Sequence, residues 1–490
     1  MMIYILRKIK LPVLLLSVFF ASCEKELETI PTDRFASDNI ATSPNGLKAL
    51  LFSAYNTNNR GDNWKNHVMQ MECMTDIAFN SGGNANRQLV NYINFTLDSE
   101  TGWLTNFWNP NYFAIRDCNL VIESLEAGSF EPEFESLIKA EARFIRAWEY
   151  AELYKHFGPV PLRTSTGQEG ELARATDEEM RTFIESELLD IIDDLPAPGQ
   201  EEGYGRATKG HALGTLVKFA LNSRQWQKVV TYTQDLMNLQ YYELYPTYRA
   251  MFFVENEQNK EMIMVWPSIN EPGPASSWYP CGAFPPGFRR AENIPEFEYI
   301  AGQMNNFPTQ YRLRDAFVDS FDPTDERYQA IVQVYENLGG RIINLRNNAD
   351  DSRSLKFFDN DQVQNESGND QIVIRYADIL LARAEALNEL NGPTQEAVDL
   401  VNKIRNRSNL GDYTLTDVGT KDNFNDIILE ERGWEFYSEG WRREDLIRHD
   451  KLISNAQSRG ITNAQDFHVL FPIPQNELNS NPNVEQNPGY

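Results

Sequence analysis

Apolar residues recur at helical spacing toward both ends of this chain and at no regular spacing in its middle. Between residues 133 and 157, Leu137, Phe144 and Ala151 recur every seven positions, and Ala140, Ala147 and Tyr154 do the same with an offset of three. Steps of three and four stay on one face of a helix, so the segment predicts a long amphipathic helix. Gly158-Pro159 stops it, since glycine permits the terminal turn and proline cannot continue the ladder. Three more helices are predicted over 176–194, 207–222 and 225–239. The first opens with Thr176 and Glu179 at capping-box spacing, and the second carries Leu213, Val217 and Ala220 on one face. Helical spacing returns over 371–390, where Val373, Ala377, Leu380, Ala384 and Leu387 share a stripe that ends at Asn391-Gly392-Pro393. Segments 395–407, 424–439 and 443–452 continue it. Helices joined by short turns must pack antiparallel, and their pair spacing is near the 34-residue tetratricopeptide unit, without its diagnostic residues. From about 244 to 368 the chain is instead rich in aromatics, Asn, Pro and Gly, with Met262–Trp266 as a short strand. The expected fold is mainly α: tetratricopeptide-like helix-pair repeats, an α–α superhelix, supporting a large irregular, loop-rich portion with few short strands.

The front of the chain has a different pattern. Arg7, Lys8 and Lys10 precede an apolar run from Leu11 to Phe20, followed by Ala21-Ser22-Cys23. The run is shorter than the roughly 20 residues needed to span a bilayer, so it predicts an export signal over 1–22 rather than a permanent span. Cysteine directly after two small residues is similar to a lipobox, with Phe20 where leucine is usual, and predicts lipidation of Cys23. Residues 23–40, with Glu24-Lys25-Glu26-Leu27-Glu28 and Pro31, predict a lipid-anchored tether. The expected organisation is completed by a single body over 41–490. Its N-terminal part runs to about 243, the irregular part covers about 244–368, and the C-terminal helical part covers about 369–490.

Composition narrows the function. The 490 residues have a formal net charge of −26, which the loss of Arg7, Lys8 and Lys10 would take to −29. An acidic body argues against nucleic acid as a partner. Cys73, Cys118 and Cys281 show no zinc-ligand spacing and read as small buried hydrophobes. No GxSxG, HExxH or phosphate-loop motif surrounds the five histidines, so no catalytic residue is predicted and the chain reads as no enzyme. Asp359, Asn360, Asp361 and Glu366 place oxygen ligands close together, which suits calcium, but without EF-hand spacing. A solvated acidic loop is the expected reading, with no cofactor and no metal beyond that possible structural calcium.

Several segments then fall into a recognisable order. They are Lys139–Ala147 with Phe157-Gly158-Pro159-Val160-Pro161-Leu162, Arg206-Ala207-Thr208-Lys209-Gly210, and Ile374–Leu381 with Ala384-Glu385-Ala386. Ile404-Arg405-Asn406-Arg407, Glu430-Glu431-Arg432, Glu439-Gly440-Trp441-Arg442, Phe471-Pro472-Ile473-Pro474 and the terminal Gln486-Asn487-Pro488-Gly489-Tyr490 follow. The ordered set resembles the SusD/RagB family of surface glycan-binding lipoproteins, from Cys23 to the last residue. Trp441 departs from it, standing where the family more often has a smaller or polar residue. The resemblance implies a lipid-anchored binding protein on the outer surface of the outer membrane. It also implies partnership with a TonB-dependent transporter to which oligosaccharide is delivered for nutrient uptake. A peptide- or protein-binding uptake lipoprotein of the same fold, and a glycoside hydrolase, remain alternatives. Arg375, Asp378, Arg405 and Arg442 read as a buried ion network rather than as a site.

A carbohydrate offers a sheet of C–H bonds and a rim of hydroxyls, so its site needs flat aromatic platforms beside amide and charged groups. Two segments supply them, and the family places its glycan site in the same two regions. The first, Asp76–Trp108, offers Phe79, Asn80, Asn84, Arg87 and Trp103 around Ser81-Gly82-Gly83. Trp108 itself is expected to pack. The second, Asn270–Arg290, offers Trp278, Tyr279, Phe288 and Arg289 among five prolines, and adjacent Trp278-Tyr279 is expected to be exposed.

Overall fold

The computed structural model describes residues 41–490, apart from 58–60, 169 and 274. The predicted signal peptide, Cys23 and the tether lie outside the described residues. Helices Leu104–Ala127 and Pro132–Phe157 form the longest pair, and Pro44–Asn56 packs against both. Asp177–Ile191, Lys209–Asn222 and Trp226–Asn238 follow, each packing on the previous one. Thr176 caps the first of these through the expected box, its hydroxyl accepting from Glu179 N–H while Glu179 accepts from the Thr176 backbone. Trp226–Asn238 packs in turn on Tyr376–Asn391, which joins the two ends of the chain into one helical layer with Gln395–Arg407 and Lys421–Phe436. A continuous core runs through the layer, including Leu51, Trp108, Phe144, Leu188, Leu216 and Ile379.

Three helices of the C-terminal part have bounds that differ from the sequence reading. Residues Gln371–Arg375 are not the first turn of a helix but a strand, antiparallel to Met262–Trp266 with Val265 opposite Ile372. Ile372, Val373 and Ile374 are β-branched and buried with their neighbours, which suits a pleated strand covered on both faces. The helix begins only at Tyr376, whose N–H donates to Glu261 O at 2.8 Å. Similarly, the helix expected over 424–439 spans Lys421–Phe436, because the Thr420 hydroxyl caps it by accepting from Asn423 N–H. The next one, Arg442–Arg448, ends before Asp450, whose φ of +55° cannot continue a helix.

The irregular middle lies over the helical layer. It holds a three-stranded antiparallel sheet of Phe288–Arg290, Val334–Asn337 and Ile342–Asn344, and the two-stranded pair Ile331–Val332 with Arg353–Ser354. A further short pair joins Ala78–Phe79 to Arg312–Leu313, with Phe79 opposite Arg312. Two separate apolar clusters support this part, one around Trp64, Tyr279, Tyr311 and Phe357, the other around Phe284, Phe288, Phe297 and Phe358. Cys73, Cys118 and Cys281 are free and buried. Among the described residues no helix is long and apolar enough to cross a membrane.

Charged residues of the ordered motifs pair inside the frame. Arg375 donates to Glu261 at 2.9 Å, Glu435 at 2.5 Å and Glu439 at 2.9 Å, all four residues being buried. Asp378 accepts from Lys218 at 2.5 Å and from Arg432 at 2.7 Å. Arg442 holds Asp76 with two bonds of 2.9 and 2.8 Å, tying the C-terminal helices to the start of the first loop segment. Arg405 lies 3.8 Å over the Tyr413 ring and 3.3 Å from Glu431. Fork-shaped guanidinium groups with matched carboxylates satisfy the requirement that buried charge be paired.

Candidate functional site

The first loop segment is laid onto the residues 305–310 by close backbone approach. Ser81 N–H donates to Thr309 O at 3.2 Å and the Ser81 hydroxyl does so at 3.1 Å. Gly83 has φ +73°, which favours glycine, and a Cβ there would stand a tight 3.0 Å from Thr309 Oγ1. The helix Gly83–Asn94 that follows buries Ala85, Leu89 and Tyr92 and leaves Asn84 and Arg87 exposed. Phe79 is half-buried, with the Arg314 guanidinium 5.6 Å from its ring. Asn80 is not available to a ligand as expected. It is 2% exposed, and its amide donates to Gly82 O at 3.2 Å and Asn86 Oδ1 at 2.9 Å, so it shapes the loop from within. Trp103 is half-buried at the start of Leu104–Ala127, with φ +69°. Trp108 packs as expected, its indole N–H donating to Glu477 at 3.3 Å.

The second segment divides its aromatics. Trp278 is half-buried, and its indole N–H donates to Glu366 Oε2 at 2.8 Å. The Ser276 hydroxyl donates to the same oxygen, and reciprocal backbone bonds of 2.9 and 3.1 Å join Ser277 to Ser367. Lys65 Nζ lies 5.8 Å from the Trp278 ring and 5.1 Å from the Phe307 ring. Exposure of Tyr279 is overturned. Tyr279 opens the short helix Tyr279–Ala283 and turns inward, 1% exposed, with ring centroids 5.5 Å from Trp64 and 5.4 Å from both Tyr311 and Phe357. Successive residues of a helical turn point about 100° apart, so neighbouring rings reach different environments. Phe288 is likewise no platform: fully buried, it stacks at 5.8 Å on Phe284 and 6.2 Å on Phe297. Arg289 belongs to the three-stranded sheet and is held by Glu298 and Glu336, each at 2.8 Å.

What joins Trp278 to the first segment is a strip that the sequence reading did not single out. Phe307 N–H donates to Cys281 O at 2.7 Å. A Cβ at Gly282 would lie 3.4 Å from Gln310 Oε1 and 3.5 Å from Lys65 Cδ. Asn84 and Arg87 are exposed, and Thr309, Phe307 and Trp278 half-buried, while Gln310 and Lys65 between them are buried. Asn305 extends the strip, its amide donating to Asn365 Oδ1 at 2.8 Å. The only sequence signal for the strip was the asparagine- and aromatic-rich composition of the middle. Of the oxygen groups considered for calcium, those of Asp359 and Glu366 are engaged by protein donors, while Asn360 and Asp361 are exposed. Asp359 accepts from Gly368 N–H at 2.7 Å and Asp361 N–H at 2.8 Å, and Glu366 accepts from Trp278 and Ser276. Among the described residues no group of three or more His, Cys, Asp or Glu is placed to hold a metal ion.

Such a helical layer carrying an aromatic loop face defines a class of protein rather than a single member, and comparison with known proteins names that class. A family model described as "SusD family" matches residues 322–490, and one described as "Starch-binding associating with outer membrane" matches residues 27–221. The chain belongs to the SusD/RagB family. SusD-like protein P25 of Formosa agariphila is 25% identical over 94% of each chain. Starch-binding protein SusD of Bacteroides thetaiotaomicron is 23% identical over 72% of each. A solved structure titled laminarin binding SusD-like protein superposes with a TM-score of 0.75 at 22% identity, covering 91% of this chain and 99% of that one. The helix-pair architecture is therefore the fold of this family.

Proposed function

We propose that this protein is a non-catalytic, cell-surface glycan-binding subunit of an outer-membrane nutrient uptake complex, anchored through lipidated Cys23. It holds oligosaccharide for delivery to a TonB-dependent transporter. The observation that carries the reading is the half-exposed Trp278 indole, braced by Glu366 and Lys65 at one end of a strip of amide, hydroxyl and cationic groups. Relatives whose names refer to starch and laminarin binding support carbohydrate as the ligand class. Stacking of C–H bonds on the indole would supply most of the contact, with Asn84, Arg87, Thr309 and the half-buried Phe79 and Trp103 beside it. The family model's description supports the outer membrane as the location.

Replacing Trp278 by Ala is expected to weaken oligosaccharide binding about tenfold or more while leaving the unfolding temperature nearly unchanged. Calorimetric titration with oligosaccharides, beside a peptide panel, checks this. Unchanged affinity would remove Trp278 from the site. Capture of peptides without carbohydrate would replace the ligand class, and release of reducing ends would make the protein an enzyme. Cys23→Ser is expected to move the protein from the membrane pellet to the soluble fraction, and its retention in the pellet would refute the lipid anchor.

A further inference from the structure

The chain that runs beside Trp278 makes a tight turn over Val363–Glu366. Val363 N–H donates to Glu366 O at 3.0 Å and Glu366 N–H donates to Val363 O at 2.9 Å, which leaves Gln364, with φ +54°, and Asn365 at the tip. The turn is also clamped from outside. Gln364 N–H donates to Gln303 O at 2.6 Å, and Asn305 N–H donates to Gln364 O at 2.9 Å. The paired backbones of Ser277 and Ser367 set it against the Trp278 segment. A backbone fixed in this way before a ligand arrives loses little freedom on binding.

Side chains of the turn are paired on one side only. Glu366 accepts the Trp278 indole N–H at 2.8 Å and the Ser276 hydroxyl, both on Oε2. Oε1 of the same half-exposed side chain has no hydrogen-bond partner among the described residues and is not a buried atom. It therefore stands beside the indole with open acceptor sites. Asn305 and Asn365 form a second one-sided pair through their 2.8 Å bond, the first exposed and the second half-exposed. Either sense of that bond leaves one carbonyl oxygen and one NH₂ group at the open ends.

These open groups discriminate among glycans. A sugar hydroxyl can donate to an acceptor-only oxygen, and further hydroxyls can donate to and accept from the amide pair. A uronate carboxylate or a sulfate cannot donate to Oε1 and meets it as a like charge. Lys65, 5.8 Å from the centre of the indole, is buried and so not presented to an anion on the ring. We propose that Glu366 is the specificity-determining residue of this site: its open oxygen takes a hydroxyl of the sugar stacked on Trp278, the Asn305–Asn365 pair takes further hydroxyls, and the site selects neutral glycans over uronate-rich or sulfated ones. The inference rests on the glycan-binding reading of the Trp278 face and names the class of glycan which that reading leaves open.

The test runs wild type, Trp278→Ala, Glu366→Gln and Asn365→Asp in native gels cast with starch, laminarin, mannan or galactan. Each polymer is used as such and after oxidation of its C6 hydroxyls to carboxylates, with thermal unfolding as the folding control. Wild type is expected to bind the neutral form of one polymer about tenfold or more tighter than its oxidised form. Glu366→Gln keeps an oxygen for the indole and for Ser276 but loses the charge. It is expected to bind the neutral polymer about three- to tenfold more weakly and to cut the preference to about twofold. A residue that only braced the ring would weaken both forms by the same factor. Asn365→Asp keeps the acceptor for Asn305 and adds a charge, so it is expected to widen the preference. An unchanged preference in Glu366→Gln overturns the proposal, and should that variant unfold early, an unchanged preference in Asn365→Asp does the same. Wild type that binds both forms alike, or no neutral polymer at all, also overturns it. The Trp278 reading is judged separately: Trp278→Ala that binds as wild type while Glu366→Gln alters the preference removes the ring and keeps the carboxylate.

Discussion

Charged residues of the C-terminal helical layer and those on the Trp278 face obey the same electrostatics with opposite results. In the layer, Arg375, Glu261, Glu435 and Glu439 are all buried and close on one another, and Arg432 and Lys218 close on Asp378. Buried and paired in this way, these groups are not presented to a ligand. On the loop face, Asn84 and Arg87 are exposed, while Lys65 is buried with its ammonium near the Trp278 and Phe307 rings. The paired charge of the ordered motifs thus serves the frame, and the groups suited to recognition come from the short helix Gly83–Asn94 and the loops packed beside it. Loops on a rigid frame are the usual place for binding residues, because a change in loop sequence leaves the frame's pairing intact.

The sharpest way to break the contrast is to remove the centre of the network. Arg375→Ala removes the partner shared by Glu261, Glu435 and Glu439 and leaves them to Arg407, Arg327 and Lys356, and losing one member of a buried pair costs about 3–5 kcal/mol. The variant is expected to be insoluble or to unfold far below wild type in calorimetry. A small shift would mean that water reaches the network.

Next in size is the pair Trp278 and Tyr279, adjacent in sequence and divided by structure. Tyr279→Ala empties a ring's volume between Trp64, Tyr311 and Phe357 and is expected to destabilise by about 3 kcal/mol or more. The fraction that still folds should bind oligosaccharide with affinity nearer wild type than Trp278→Ala does. Equal loss of affinity in both variants, with Tyr279→Ala fully stable, would put Tyr279 back on the surface.

That pair also marks how far the sequence could be read. The long helices were legible because their stripes and stops are local: Gly158-Pro159 and the Thr176–Glu179 box act within a few residues. Residues 371–375 were misread because a buried strand and a buried helical turn share the same apolar run, and only the pairing with Met262–Trp266 distinguishes them. Within the site, the two segments were identifiable by composition. The direction of each ring was not, since the inward turn of Tyr279 depends on Phe357 and Tyr311, both distant in sequence, and the stacking of Phe288 also needs Phe297. Lys65 and Thr309 reach the face only through tertiary packing.

The smallest expected effect comes from Glu72, which sits where the two regions meet. Its carboxylate accepts from the Tyr311 hydroxyl on the loop side, and from Ser438 N–H at 3.1 Å and Gly440 N–H at 2.9 Å on the helical side. Burial raises its pKa from 4.5 to about 7, although these donors pull the other way. A carboxyl whose folded pKa lies above its unfolded one binds its proton more tightly in the native state. Its stabilising contribution is thus complete below pH 4.5 and fades as the pH rises through about 7. Wild type should lose a few degrees of unfolding temperature across that window relative to Glu72→Gln, whose side chain does not titrate. Comparing the two proteins at each pH cancels the background from the acidic surface. A constant difference across the window would mean that Glu72 is already ionised in the folded protein, with the donors from both regions outweighing its burial.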